Sequence, residues 1–316
     1  MSGGAWGAGG VSADPAAHER ELEELLKEVR RIDVQSRRLV AGVMAGGYLS
    51  VFHGSGIEFD EVREYVPGDP QRAVDWNVTA RMGRPFIKKY VDERERTVVF
   101  LLDLSASMTG GFGIWSARQT AARVCACLAL SATRNGDKTA LVTFGEDVHS
   151  YVPPRKGPAH ALRIIRDCLA LPGRGGTSPK PALEFAARAL RRRAIVFLVS
   201  DFLCQGWERA LTLCARRHDV IAVRIQVPEL APLDLGLLRA RDPETGLTTV
   251  IDWSSGRVRA EYSRRVAAWR AETEQALRRA KVDLMDVPVP QAPSRNAIAG
   301  PILRFFTMRE LRGAKR

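Results

Sequence analysis

Two stretches constrain this chain more than any other feature. Thr97-Val-Val-Phe-Leu-Leu102 and Ala194-Ile-Val-Phe-Leu-Val-Ser200 are nearly unbroken apolar runs, and each leads directly into an aspartate, Asp103 and Asp201. A strand with one wet face alternates apolar and polar residues. A run without alternation needs cover on both faces, the condition of a central strand in a parallel sheet. Amphipathic stretches lie between such runs. Ile114–Arg134, Ala159–Leu169, Pro179 to about Arg192, Trp207–Arg217 and Val258–Lys281 read as helices; Lys138–Phe144, Val220–Ile225 and Val282–Val287 read as further strands. Gly145-Glu-Asp147 between Lys138–Phe144 and Val148–Val152 suggests an antiparallel hairpin at a sheet edge, and Leu237–Ile251 around Pro243-Glu-Thr-Gly246 a second hairpin. The expected fold class is α/β: a doubly wound, mostly parallel sheet of Rossmann-like type with helices on both faces.

The rest of the chain divides around this core. Residues 1–14 are rich in Gly and Ala and are expected to form a disordered tail. From Pro15 to about Ala45, Leu22, Leu25, Leu26, Val29 and Ile32 recur at helical spacing. Tyr48–Arg96 is dense in Gly, Pro and charge, and Phe59, Tyr65, Trp76, Phe86 and Tyr90 are expected to give it a small β-rich core. The organisation read from sequence is therefore a tail (1–14), an N-terminal helix with a small β-rich segment (15–96), an α/β domain (97–290) and a C-terminal helix (291–316).

Ligands of doubly wound sheets bind beyond the carboxyl ends of the strands. That rule selects Asp103-Leu-Ser105-Ala-Ser107, Gly175-Gly-Thr177-Ser178-Pro179 and Ser200-Asp201. Two carboxylates at the ends of central strands are costly unless compensated. Ser105, Ser107 and Thr177 add neutral hydroxyl oxygens. Such a set, with no soft ligand, suits Mg²⁺ (or Mn²⁺ or Ca²⁺) and leaves room for water and one external oxygen.

These positions resemble the metal-ion-dependent adhesion site of the von Willebrand factor A superfamily, an Asp-x-Ser-x-Ser loop joined by a distant Thr and Asp. All five match in order, at Asp103, Ser105, Ser107, Thr177 and Asp201. The resemblance implies that the hydroxyls bind metal directly, that the aspartates often act through water, and that an acidic residue of a partner completes the site. Upstream, Gly56-Ile-Glu-Phe-Asp-Glu-Val-Arg-Glu-Tyr-Val-Pro-Gly-Asp-Pro70, with Arg72, Asp75-Trp76 and Ala80-Arg81, is similar to the bacterial domain-of-unknown-function 58 family. That family carries a von Willebrand A-like domain and is typically encoded beside MoxR-type AAA+ ATPases. The resemblance implies a MoxR-type ATPase as partner in chaperone-like remodelling of a client. It makes Arg63, Tyr65, Asp69, Arg72, Asp75 and Trp76 candidates for partner binding. The alternative for the same segment is a scaffold of buried ion pairs among Arg63, Glu64, Arg72 and Asp75.

Other features exclude more than they assign. The formal charge of +12 comes largely from Arg in helix-like stretches such as Arg191-Arg192-Arg193. Aromatic residues do not interleave them as a nucleic-acid platform requires, so solvated helix faces are the favoured reading and nucleic acid an unfavoured partner. The five cysteines have neither disulfide-framework nor zinc spacing, which fits a reducing cytoplasm. No signal peptide and no apolar run long enough to span a bilayer is evident. An aspartyl phosphoryl-transfer enzyme needs a second carboxylate two residues after Asp103, where Ser105 stands. No P-loop, dinucleotide fingerprint or nucleophile elbow appears, and His149 and His218 are isolated. The expectation is a non-enzymatic, cytoplasmic, metal-dependent protein-interaction module. Its rivals are a Mg²⁺-dependent phosphoesterase and an electrostatic binder of nucleic acid or anionic lipid.

Overall fold

The computed structural model describes residues 20, 23, 24, 27, 57–66, 74–92, 96–111, 113–170, 173, 175–233, 235–294 and 296–313. The expected tail and most of the expected helix after Pro15 lie outside these residues. In chain order the elements begin with β1 (Ile57–Glu64), α1 (Trp76–Met82), β2 (Phe86–Asp92), β3 (Thr97–Asp103), α2 (Ala117–Arg134), β4 (Lys138–Phe144) and β5 (Val148–Arg155). There follow α3 (Pro158–Ala170), α4 (Pro179–Ala189), β6 (Ile195–Ser200), α5 (Glu208–Arg217) and β7 (Asp219–Gln226). The chain continues with β8 (Leu237–Arg241), β9 (Thr248–Asp252), α6 (Gly256–Arg279), β10 (Asp283–Pro288) and α7 (Ala299–Gly313).

Six strands form the main sheet in the order β10-β7-β6-β3-β4-β5. All neighbours are parallel except β4 and β5. The two apolar runs lie side by side at its centre as β3 and β6, with Phe100 opposite Phe197 and Leu102 opposite Val199. Their lack of alternation is explained by double cover. Val98, Phe100 and Leu102 face a layer built from α2, α3 and α7, whereas Val99 and Leu101 face α4, α5 and α6. Each such fully buried side chain contributes about 1.5–3 kcal/mol of hydrophobic stabilisation.

Local chemistry sets the element ends. α2 starts after Ser116, not at Ile114, because Ser116 accepts the Gln119 amide while the Gln119 side chain returns to the Ser116 N–H. Its buried face is mostly small (Ala117, Ala121, Ala122, Cys125, Ala126, Ala129), which lets α2 lie close against both the sheet and α3. α6 begins at Gly256 under a Ser255 cap. β5 runs to Arg155, three residues beyond the expected end, and its register against β4 shifts between Thr139 and Leu141, opposite Pro153-Pro154. The C-terminal helix is fastened by buried Ile302, Phe305 and Phe306 and by Arg309, whose guanidinium donates to both Asp219 carboxylate oxygens at 2.6 and 2.7 Å. Among the described residues no helix is long and apolar enough to cross a membrane.

The small N-terminal sheet pairs β1 with β2 in antiparallel register. One expectation about it is overturned: Trp76 is 72% exposed and α1 buries none of its residues. Asp75 caps this short helix, its carboxylate accepting the Asn77 and Val78 N–H groups, and Trp76 is the first helical residue, on a helix with no face against a core. Among the residues of this segment whose side chains are described, Ile87 is the buried apolar one and Tyr65 and Phe86 are half-buried; the side chains of Phe59 and Tyr90 lie outside that description. Of the four residues of the alternative ion-pair scaffold, Arg72 lies outside the described residues. Glu64 pairs with Arg84 where both side chains are well exposed, and Asp75 serves as a helix cap.

Candidate metal centre

The strand order reverses between β3 and β6, since the chain passes from β3 outward through β4 and β5 and then returns to β3's other side. The crevice at such a reversal is where doubly wound folds place ligands. Asp103 ends β3 and Asp201 follows β6, so parallel register, with Leu102 opposite Val199, brings the two acids to the same end of the sheet, one residue out of step. Both are buried, at 0% and 1% exposure. Asp103 is held at both oxygens: Oδ1 accepts the Ser105 N–H at 2.8 Å and Oδ2 accepts the Ser200 hydroxyl at 2.6 Å. Asp201 Oδ1 accepts the Leu203 N–H at 3.0 Å, and the Ser107 hydroxyl donates to the same carboxyl group. Ser105 Oγ and Ser107 Oγ lie 3.0 Å apart.

The loop that carries Thr177 is tied to the Asp103 loop by one backbone bond and to the β4–β5 turn by two more bonds. The Ala106 N–H donates to the Gly175 carbonyl at 3.1 Å, the Gly176 N–H to Glu146 Oε1 at 3.2 Å and the Ser178 N–H to the Gly145 carbonyl at 2.8 Å. Glycine is required here for two reasons. Gly175 has φ 72°, and a Cβ on Gly173 would meet the Leu104 and Ser105 carbonyl oxygens at 3.1 Å. Pro179 at the first turn of α4 then fixes the chain two residues after Thr177. The structure thus brings Asp103, Ser105, Ser107 and Asp201 together, with the loop that carries Thr177 bonded through Gly175 to Ala106 between the two serines. It adds a residue that sequence reasoning missed: Thr177 Oγ1 donates to Glu244 Oε1 at 2.5 Å, from the tip of the β8–β9 hairpin.

Negative charge accumulates in this crevice. Burial, and next the neighbouring Asp201, push the Asp103 carboxyl up to about 7 from an ordinary 3.8, against hydrogen bonds from Ser200 and Ser105 that favour its ionised form. Asp201 is also raised, chiefly by burial, with the Leu203 and Ser107 bonds pulling back and Glu244 adding repulsion. Burial and then the nearby acids hold the Cys204 thiol well above its usual range, so it remains protonated. No ion pair among the described residues neutralises Asp103 or Asp201. Among those residues no cluster of three or more His, Cys, Asp or Glu is placed to hold a metal ion, so any cation here depends on the hydroxyls. The backbone beside the site is strained. Phe202 adopts φ 61°, which costs a non-glycine residue about 1 kcal/mol. It is held there by complete burial, an edge-to-face contact with Trp207 and a 2.9 Å bond from the Trp269 indole N–H to its carbonyl.

The model of the family "Protein of unknown function DUF58" matches residues 61–272. The chain belongs to the DUF58 family. The DUF58 match spans all five candidate residues and Glu244. Uncharacterized proteins of Mycobacterium tuberculosis (strain H37Rv) and Mycobacterium bovis are each 28% identical over 298 residues, 92% of this chain and 91% of theirs. Similar solved structures include BatB of Bacteroides thetaiotaomicron, at 18% identity and a TM-score of 0.43 over 68% of this chain and 98% of that one. They also include an aerotolerance-related membrane protein of Bacteroides fragilis (16%, TM-score 0.41, 69% and 99%) and the SpRpn10 VWA domain (14%, 0.38, 66% and 94%).

The DUF58 match also covers the upstream candidates. Arg63 is half-buried near the end of β1 and donates to the Glu64 carbonyl, Tyr65 N–H donates to the Pro85 carbonyl, and Asp75 and Trp76 open α1. Asp69 and Arg72 lie outside the described residues. These bonds stay within residues 63–86 and do not reach the Asp103 crevice.

Proposed function

We propose that this DUF58 chain is a non-enzymatic protein-interaction module of the von Willebrand factor A type, working in the cytoplasm. In this reading Asp103, Ser105, Ser107, Thr177 and Asp201 hold a divalent cation, Mg²⁺ or else Mn²⁺ or Ca²⁺, and a partner's acidic residue docks there. One observation carries it: two buried carboxylates meet at the sheet's switch point among three hydroxyls, with no neutralising side chain among the described residues. Such a pair is costly unless a cation joins it, and an all-oxygen donor set selects a hard one. When bound, the ion supplies neutralisation and an exchangeable position for an external carboxylate oxygen.

The chain's own residues prepare the site. Ser200 and the Ser105 amide hold Asp103 in one rotamer, the Leu203 amide and Ser107 hold Asp201, and the Gly-rich loop delivers Thr177 against the Ser105 loop. The upstream resemblance to MoxR-associated proteins supports a MoxR-type AAA+ ATPase as working partner, remodelling a client. Arg63, Tyr65, Asp69, Arg72, Asp75 and Trp76 are the proposed second contact surface. The test is capture of the MoxR-type ATPase of the same genome by the full chain, in Mg²⁺ and in chelator, with wild type and Asp103→Ala. Capture in Mg²⁺ that chelator and Asp103→Ala both abolish supports the reading; capture indifferent to both overturns metal-bridged docking.

A further inference from the structure

The β8–β9 hairpin buries no strand residue and its tip reaches the Asp103 crevice. Leu237, Leu247 and Val250 are 76%, 70% and 63% exposed. Little apolar burial therefore holds the strands down, since exposed side chains contribute almost nothing to adhesion. Its base is anchored: Trp253 is buried, donates its backbone N–H to the Gly236 carbonyl at 3.0 Å and packs edge-to-face on Tyr262 of α6. Its tip is rigid. Asp242 accepts the Glu244 and Thr245 N–H groups at 2.9 and 3.3 Å and the Thr245 hydroxyl at 2.8 Å, and Gly246 turns the chain with φ 73°. This anchored, stiff-tipped arm presents Glu244 to the Thr177 hydroxyl at 2.5 Å, across 67 residues of sequence. The same carboxylate is close enough to repel Asp201.

A third acid beside two buried acids adds repulsion, which the Thr177 hydroxyl bond offsets in part and a cation on the donor set would turn into attraction. We propose that Glu244 is the chain's own acidic occupant of this centre: the hairpin lays its tip carboxylate on the donor set and fills from within the position that a partner's acid must take. The inference rests on the metal-binding reading above. It makes the hairpin a tethered competitor, present at an effective concentration of about millimolar. A partner acid then docks only where its other contacts outweigh that tether. Free acidic side chains, which have no other contacts, are kept out.

The test uses Mn²⁺ as the probe with the full chain, wild type, Glu244→Ala and Asp103→Asn. Free Mn²⁺ is followed by electron paramagnetic resonance, and water exchange on the bound ion by proton relaxation enhancement. Glu244→Ala is expected to bind Mn²⁺ about tenfold more weakly, the scale of losing one supporting group. Each ion it does bind is expected to relax water more strongly, because the vacated position passes to solvent. If Asp103→Asn loses binding while Glu244→Ala matches wild type in both readouts, the occupant idea fails and the metal centre stands. Weaker binding with unchanged relaxation also overturns it, reducing Glu244 to an orienter of the Thr177 hydroxyl. If wild type shows no saturable Mn²⁺ binding, or Asp103→Asn keeps wild-type affinity, the metal reading falls and this inference with it. Circular dichroism of the same samples verifies that the turn substitution leaves the fold intact.

Discussion

Replacing Asp103 by Asn removes one charge from the crevice at nearly constant volume, and the consequence for stability can be worked from the site. With its carboxyl raised from 3.8 to about 7 by burial and by Asp201, Asp103 carries a penalty of about 4 kcal/mol in its charged form when no cation is bound. Because the folded value lies above the unfolded one, the folded chain holds the extra proton between about pH 4 and 7. Stability from this group is full below about pH 4, falls as pH rises through that window and stays low above it. The substituted asparagine would not ionise, but it would lose the acceptor that receives the Ser200 hydroxyl at 2.6 Å, a cost of about 1 kcal/mol or somewhat more. In chelator at about pH 8, Asp103→Asn is therefore expected to be more stable than wild type by about 2–3 kcal/mol, or roughly 5 °C in Tm for a domain of this size. At about pH 4 the advantage disappears and the variant is slightly the weaker protein. Adding Mg²⁺ at about pH 8 should raise the Tm of wild type and leave the variant unmoved. Thermal unfolding by circular dichroism at the two pH values, with and without Mg²⁺, measures all three. A variant less stable than wild type in chelator at both pH values would refute the argument that Asp103 is an uncompensated buried charge.

Two further outcomes follow from backbone geometry. Phe202→Gly should be less destabilising than Phe202→Ala by about 1 kcal/mol, because only glycine adopts φ 61° without strain, although both lose about 3–5 kcal/mol of aromatic burial; chemical denaturation of the two variants side by side gives the difference. Gly173→Ala should weaken Mn²⁺ binding with little change in Tm, since its methyl group would press on the Leu104 and Ser105 carbonyl oxygens and lift the Thr177 loop off the Asp103 loop; a Mn²⁺ titration paired with a melting curve separates this from simple unfolding.

The central fold is legible in the sequence because its signals are local and strong. β3 and β6 announce themselves as runs that cannot tolerate a wet face, and the helices between them carry clear apolar stripes, so the doubly wound sheet and its strand-end loops follow from pattern alone. Element ends move by a few residues where side-chain caps decide them, as Ser116 does for α2. Glu244 is invisible in the sequence for a physical reason. Its context, Pro243-Glu-Thr-Gly246, specifies a turn and is fully satisfied as one; the meeting with Thr177 depends on where a hairpin swings in three dimensions. Ser200 reads as the end of a strand, and its bond to Asp103 exists only because β3 and β6 are parallel neighbours in register. Trp76 misleads in the other direction. Aromatic residues usually seek a core, but a short helix capped by Asp75 offers it none.

The prolines of β5 carry one more implication. An edge strand normally offers a row of unpaired backbone groups, and a binding partner can recruit them by adding a strand of its own. Pro153 and Pro154 have no N–H to offer, and the register shift opposite them kinks the ribbon. Over these two residues β5 has no N–H with which an added strand, from a partner or from another copy, could pair. On the proposed reading, docking then falls to the strand tips, where selectivity rests on charge and not on the backbone that every protein shares.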